Sequence, residues 1–244
     1  MAILLRPNPE AFNFLDAAGI ARTEANGSII IATCQLTTDL KNYGLWNKMK
    51  VIYPFVGQAG VSSSFQYNLK DPNTFRGVFT GSWTYANTGV TPNGVTTTYM
   101  DTGFNPLLNL VATNASIFSY SRTGDVVIGT QDGRKFEIFD YTGDRYPLNG
   151  TQLNCGPRWN GWTLSSRTST TLMKVYKNNT TTFTDTNPIS IALANSSLKV
   201  GAFSAFAGNA EMAFFGVSEG FNDTEAANFY TAVQRFQTTL GRQV

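Results

Sequence analysis

Apolar and polar residues alternate with period two along much of the chain, in short runs closed by Gly, Pro and Asn. Such runs predict β-strands. Residues 51–56 form the first, broken by Gly57 and Gly60. Residues 63–69 form the second, with Phe65, Tyr67 and Leu69 on one face. Asp71-Pro72-Asn73 reads as a turn, because proline presets its φ and Asp and Asn bond nearby backbone. Residues 77–85 predict one strand, with Phe79, Gly81, Trp83 and Tyr85 on a common face. Asn93-Gly94 is a hairpin-type turn.

The pattern continues beyond a loop at 104–114. Residues 115–122 predict a strand, and 124–131 and 134–141 a hairpin around Asp132-Gly133. Residues 141–160, rich in Gly, Pro and Asn, predict a long loop. Residues 161–167, 170–177 and 180–183 predict three strands, the last two joined at Asn178-Asn179. Asn tolerates the left-handed backbone that such a turn can require. Residues 198–206 and 211–217 complete the set, with Phe203, Phe206, Phe214 and Phe215 read as core. Many short aromatic strands predict an antiparallel sandwich rather than an α/β layout.

Period 3.6 occurs only at the two ends of the chain. Residues 11–18 predict a short helix stopped by Gly19, and a longer one runs from Thr23 or Ser28 to Met49. Tyr43 and Trp46 are read as packing that helix on the sandwich, and Gly44 weakens its end. At the C-terminus, 223–240 predicts a helix with Asn222 as N-cap and Glu225 at capping-box spacing. Its stripe of Ala226, Phe229, Tyr230, Val233, Phe236 and Leu240 is docking surface, for its own sandwich or a neighbour. Residues 1–10, with an apolar strand at 3–5, read as an arm that could add to a neighbour's sheet. The division expected is an arm and helical lead-in at 1–49 and a sandwich with its terminal helix at 50–244.

WNKMKVIYPFVG, YNLKDP, FTGSWT, TGVTPNG and the closing DTEAANFYTAVQRFQTTLGRQV resemble a family of tailed-phage virion proteins, many from phages of gut Bacteroidales. The likeness runs from about Ala11 to the C-terminus, and LMKVYKNNTTTF resembles a strand-turn-strand of laminin-G-like sandwiches. It implies a concanavalin A-like jelly roll with N-terminal helices and a packed C-terminal helix. It also implies a fibre, spike or receptor-binding role among other virion proteins, commonly as a trimer, assembled in the host cytoplasm. Its motifs carry no established active site.

Composition narrows the chemistry. Charged residues make up 14% and aromatics 13%, and the net charge of +2 argues against a nucleic-acid surface. The apolar start at 2–5 is too short for a secretory signal, and no run reaches membrane-span length. The chain has no histidine, which excludes Ser-His-Asp and Cys-His catalysis. Cys34 and Cys155 read as two buried thiols. Glu137 and Asp140, the nearest carboxylate pair, are three apart and fall on opposite faces of a strand, against a glycosidase role. Asp101, Asp125, Asp132, Asp140 and Asp144 sit near turns and read as solvated rather than calcium-binding, so neither metal nor cofactor is expected.

Sugar binding remains, because a sugar needs an aromatic face and amide or charged partners for its hydroxyls. The candidates are Trp159, Asn160 and Trp162 at the end of the long loop, Trp83 and Tyr85 before a turn, and Tyr120 with Arg122 at a strand end. The expected function is non-enzymatic display of a glycan-binding sandwich, with a purely architectural capsid, collar or tail subunit as the alternative. A glycan-cleaving enzyme is the weakest of the readings.

Overall fold

A computed structural model describes residues 8–131, 136–140, 148, 160–189 and 192–244. The architecture has three layers: helices, a large antiparallel sheet and a smaller antiparallel sheet. The antiparallel sandwich expected from the alternation is present, with helices contributed by both ends of the chain.

Among the described residues the large sheet has eight strands. They are β1 (Met49–Tyr53), β3 (Trp83–Ala86), β4 (Gly89–Pro92), β6 (Ala115–Thr123), β9 (Gly161–Ser169), β10 (Leu172–Lys177), β11 (Thr180–Asp185) and β15 (Glu211–Ser218). Their order is β11-β10-β9-β6-β15-β4-β3, with β1 also paired to β15. The smaller sheet runs β2 (Val78–Thr80), β5 (Tyr99–Asp101), β12 (Lys199–Val200), β7 (Val126–Gly129) and β8 (Ile138–Asp140). A separate hairpin joins β13 (Ala202–Phe203) to β14 (Phe206–Ala207).

Strand β6 shows how the layers are built. Ala115 and Ile117 enter the core between the sheets, while Phe118 and Tyr120 enter a second core beneath the helices. Both faces of the central strands are therefore buried. The helical layer consists of α1 (Pro9–Ala17), α2 (Gly27–Asn42) and α4 (Asp223–Thr239). The fourth helix, α3 (Pro106–Asn109), is a short turn within the 104–114 loop. Asn222 and Glu225 form the expected reciprocal capping box on α4. Phe229, Val233 and Phe236 on α4 are fully buried against the large sheet. The ring of Phe229 lies 4.5 Å from that of Phe118. Burying these three side chains contributes on the order of 5–9 kcal/mol, before the entropy of ordering them is subtracted.

The chain after α4 is fastened by Arg242, which is fully buried. Its guanidinium donates to Gln237 Oε1 at 2.6 Å, Pro54 O at 2.6 Å, Phe55 O at 2.9 Å and Ala213 O at 2.8 Å. Burial pushes its pKa down to about 9, so it stays charged at neutral pH. One positive group thus ties α4, β15 and the segment after β1 together.

Several sequence expectations are corrected. The single strand expected at 77–85 is two strands in different sheets, because Gly81 turns the chain at φ 79° against Thr98. The strand expected at 63–69 is a 3-10 turn, Ser62–Gln66, that buries Phe65. Past that turn, the side chain of Asn68 accepts from Ile52 N–H at 2.9 Å. The helix expected to reach Met49 stops at Asn42, because Gly44 takes φ 72° and Leu45 N–H returns to Leu40 O. Trp46–Lys48 is then a single 3-10 turn leading into β1. That strand ends at Tyr53, since Pro54 has no N–H to donate and Phe55 takes φ 41°. The run at 198–206 breaks into β12, β13 and β14, with Gly201 at φ 97° and Ser204 at φ 53°. Phe206 is 40% exposed rather than core. The helix α1 begins at Pro9, inside the segment expected to be an arm, and the strand expected at 3–5 lies outside the described residues. Asp132-Gly133 and most of 141–160, including Cys155, also lie outside them.

Candidate functional site

The sequence-predicted sugar residues do not share one surface. Tyr120 and Trp162 face the helical layer and are fully buried. The Trp162 ring packs edge-on to Phe229 at 6.0 Å and Tyr230 at 5.5 Å, both on α4. Tyr120 donates its hydroxyl proton to Val244 O at 3.1 Å and accepts from Val244 N–H at 2.9 Å. Burial raises the pKa of that hydroxyl. Arg122 bonds Glu211 at 2.8 Å and Arg242 O at 3.0 Å. These three side chains pack or bond against α4, β15 and the tail behind α4. The apolar stripe of α4 occupies the face they were expected to offer.

Trp83 and Tyr85 lie on the edge strand β3, half-buried against the inter-sheet core. The Trp83 ring is edge-on to Phe79 at 4.9 Å, and its Nε1–H donates to Thr80 O at 3.0 Å. Tyr85 packs against Phe65 and Phe79. Asn160 is exposed just before β9, and Trp159 lies outside the described residues.

The outer face of the large sheet is covered by helices, whereas the outer face of the small sheet carries a groove of about 440 Å³. Register builds it. Val78 pairs with Asp101 and Thr80 with Tyr99, and Asp101 pairs on its other side with Lys199. Period two points Tyr99 and Asp101 outward while Met100, between them, is buried in the core. Arg76, Gly103 and Ser197 complete the lining. Gly103 has φ 66°, and a Cβ added there would meet open space.

The chemistry of this groove suits a polar ligand with an apolar face. Tyr99 is half-exposed, and the Lys199 ammonium lies 4.0 Å from its ring centre. Asp101 Oδ1 accepts from Gly103 N–H at 2.9 Å, and Oδ2 accepts from the Ser197 hydroxyl at 2.9 Å. Arg76 stacks 4.6 Å above the Tyr67 ring and donates twice to Gln66 Oε1. Val78 adds an apolar wall, 61% exposed.

A larger cleft of about 670 Å³ lies where α1, α2 and the end of α4 meet the loop after β1. It carries the amides of Asn26, Gln58 and Asn87 but no aromatic ring and no charge. A third cleft holds Glu10, Asp16 and Lys70, whose polar atoms are committed to Lys41, Arg22 and Trp46 O. The small-sheet groove is the candidate because it combines a ring, a cation, a carboxylate and hydroxyls in one open surface. Among the described residues no cluster of three or more His, Cys, Asp or Glu could hold a metal ion. Cys34 is buried, which raises its thiol pKa. No described helix is long and apolar enough to cross a membrane.

Sequence reasoning missed Tyr99 and Lys199. The signal was present in TTTYMDTGF: Thr97, Tyr99, Asp101 and Gly103 alternate with Thr98, Met100, Thr102 and Phe104, a polar face against a mainly apolar one.

Solved structures share the fold at low identity. Domain 4 of AbnA, a GH43 extracellular arabinanase from Geobacillus stearothermophilus solved in complex with arabinotriose, is 15% identical with a TM-score of 0.53, covering 75% of this chain and 98% of that one. A botulinum neurotoxin type C structure, described through its dependence on two ganglioside molecules for cell entry, is 8% identical with a TM-score of 0.52. The binding domain of botulinum neurotoxin DC in complex with rat synaptotagmin II is 9% identical with a TM-score of 0.51. This chain covers 52% of each toxin chain. The sequence matches no protein-family model. Nor does it match any curated protein.

Proposed function

We propose that this chain is a non-enzymatic component of a phage virion, a fibre, spike or decoration, that holds a host-surface glycan on the open face of its small sheet. The observation that carries the reading is the asymmetry of the sandwich. One outer face is sealed by α4 and its neighbours, and the other presents Tyr99 among Asp101, Ser197 and Arg76. A sugar ring stacks its apolar face on an aromatic ring and gives its hydroxyls to flanking polar groups. Support comes from two neighbours of this fold, an arabinanase domain solved with arabinotriose and a neurotoxin whose cell entry depends on two ganglioside molecules. The virion part rests on the motifs spread from Ala11 to the C-terminus, and with it come the homo-oligomer, a trimer first, and other virion proteins as partners. Cleavage chemistry is left out because it needs two carboxylates flanking the bond, and the groove lining holds one, Asp101, whose oxygens both accept hydrogen bonds from its own neighbours.

The test is a glycan array followed by calorimetric titration of the best ligand. Tyr99→Ala should weaken binding at least about tenfold, the cost of losing one stacked ring. Trp162→Phe should leave it unchanged. Absence of binding to any saccharide would reject the reading. A second reading, an architectural subunit with no ligand, draws on Leu107, Leu108 and Val111, exposed 43%, 75% and 64% on one loop, as a contact for a neighbouring subunit. Tight copurification with the particle, without saccharide binding, would favour it.

A further inference from the structure

We infer that the groove takes an acidic saccharide, one bearing a carboxylate, in preference to its neutral counterpart. This rests on reading the groove as a glycan site. Arg76 and Asp101 line it, Lys199 stands beside it on the Tyr99 ring, and their commitments differ. Asp101 accepts from Gly103 N–H through Oδ1 and from the Ser197 hydroxyl through Oδ2, and its charge offsets one of the two cations. Arg76 touches only neutral partners among the described residues, the Gln66 carbonyl oxygen and the face of Tyr67. Lys199 lies on the Tyr99 ring and has no ion pair among the described residues. Elsewhere on the surface such cations are paired: Lys48 with Glu225, Lys50 with Glu219, Lys174 with Asp223.

Geometry adds direction. Arg76 uses Nε and Nη2 toward Gln66, at 3.1 and 2.9 Å. That leaves the end-on Nη1/Nη2 pair, the edge that binds a carboxylate through two parallel hydrogen bonds. The stacking on Tyr67 and the bonds to Gln66 hold the guanidinium in place before a ligand arrives, which lowers the ordering cost of binding. Lys199 sits one strand further, beside Asp101, and supplies a second positive charge next to the aromatic ring on which the sugar stacks. A ligand stacked on Tyr99 would use the ring face opposite the ammonium.

The test is calorimetric titration with a panel of uronic-acid and sialic-acid oligosaccharides, each beside its carboxyl-reduced neutral form and a sulfated analogue. The carboxylated form should bind about tenfold or more tightly than its reduced counterpart, the effect of a charge-assisted bidentate bond. The preference should shrink as salt is raised, because the groove is open to solvent. Arg76→Gln and Lys199→Gln should each weaken binding of the carboxylated form more than that of its neutral counterpart, so that the preference shrinks. Both side chains are at the surface, so the variants should fold, checked by unchanged melting. Equal binding of acidic and neutral forms overturns the inference but leaves the glycan reading standing. Equal binding of the sulfated analogue overturns the carboxylate assignment. Absence of binding across the whole panel rejects both.

Discussion

Replacing Arg242 by Met removes the charge while keeping a side chain of similar length in a fully buried site. Four hydrogen bonds are lost, three of them to main-chain oxygens of Pro54, Phe55 and Ala213. The fourth acceptor, Gln237, is itself fully buried and its Nε2 has no partner among the described residues. Each charge-assisted bond is worth about 1.5–3 kcal/mol net, and stranding a buried acceptor costs about 1–3 kcal/mol. These terms are not additive. They are opposed by relief of the desolvation that pushes the pKa of Arg242 down to about 9. The balance expected is a loss of about 3–5 kcal/mol. In urea, with a slope near 3 kcal/mol per M for a chain of this size, the midpoint should fall by about 1–2 M. Arg242→Lys should recover only part of it, because a single ammonium cannot span carbonyls on β15 and on the segment after β1. A change under about 1 kcal/mol would refute the view that this cation fastens the tail and, through it, α4.

Two further outcomes follow from local geometry. Asn179, at φ 64°, should tolerate glycine with little change, while Asn179→Val should cost about 1–2 kcal/mol by thermal melting; an unchanged valine variant would contradict the left-handed turn. Asp223 is held below its ordinary pKa by a hydrogen bond from Lys174, then by one from Tyr176. A depressed carboxyl pKa stabilises the fold above the unfolded value and loses that stabilisation as pH falls through the folded one. Asp223→Asn should therefore cost under about 1 kcal/mol near pH 7, screened because the side chain is 65% exposed, and that cost should fade as pH falls through the depressed folded value. A gap that persists in acid would break that assignment.

The sequence was informative where one local force decides. The Asn178-Asn179 turn, with φ 42° and 64°, joins β10 to β11, and the capping box starts α4 as its residues dictate. It misled where a strand pattern runs through a glycine. At 77–85 and 198–206 the alternation is intact, but Gly81 and Gly201 adopt positive φ and send the halves to different sheets. Asn68 defeats period two in another way, by bonding the neighbouring strand's backbone with its side chain. The site was less legible than the fold. Whether Tyr120 and Trp162 are platforms or core depends on what covers them, and α4 lies about a hundred residues or fewer downstream of each. The sequence ASIFSYS, apolar or small on both faces, carried the hint that both sides of β6 are buried.

The most direct measurement is a hydrogen-exchange footprint of the full chain with and without a bound saccharide. The account predicts slowed exchange at 76–80, 99–103 and 197–199, the segments that carry the groove's lining residues and the neighbouring Lys199, with 117–122 and 160–164 unchanged. Protection confined to 117–122 and 160–164, or release of α4 on binding, would contradict it and return the ligand to the face that α4 now covers.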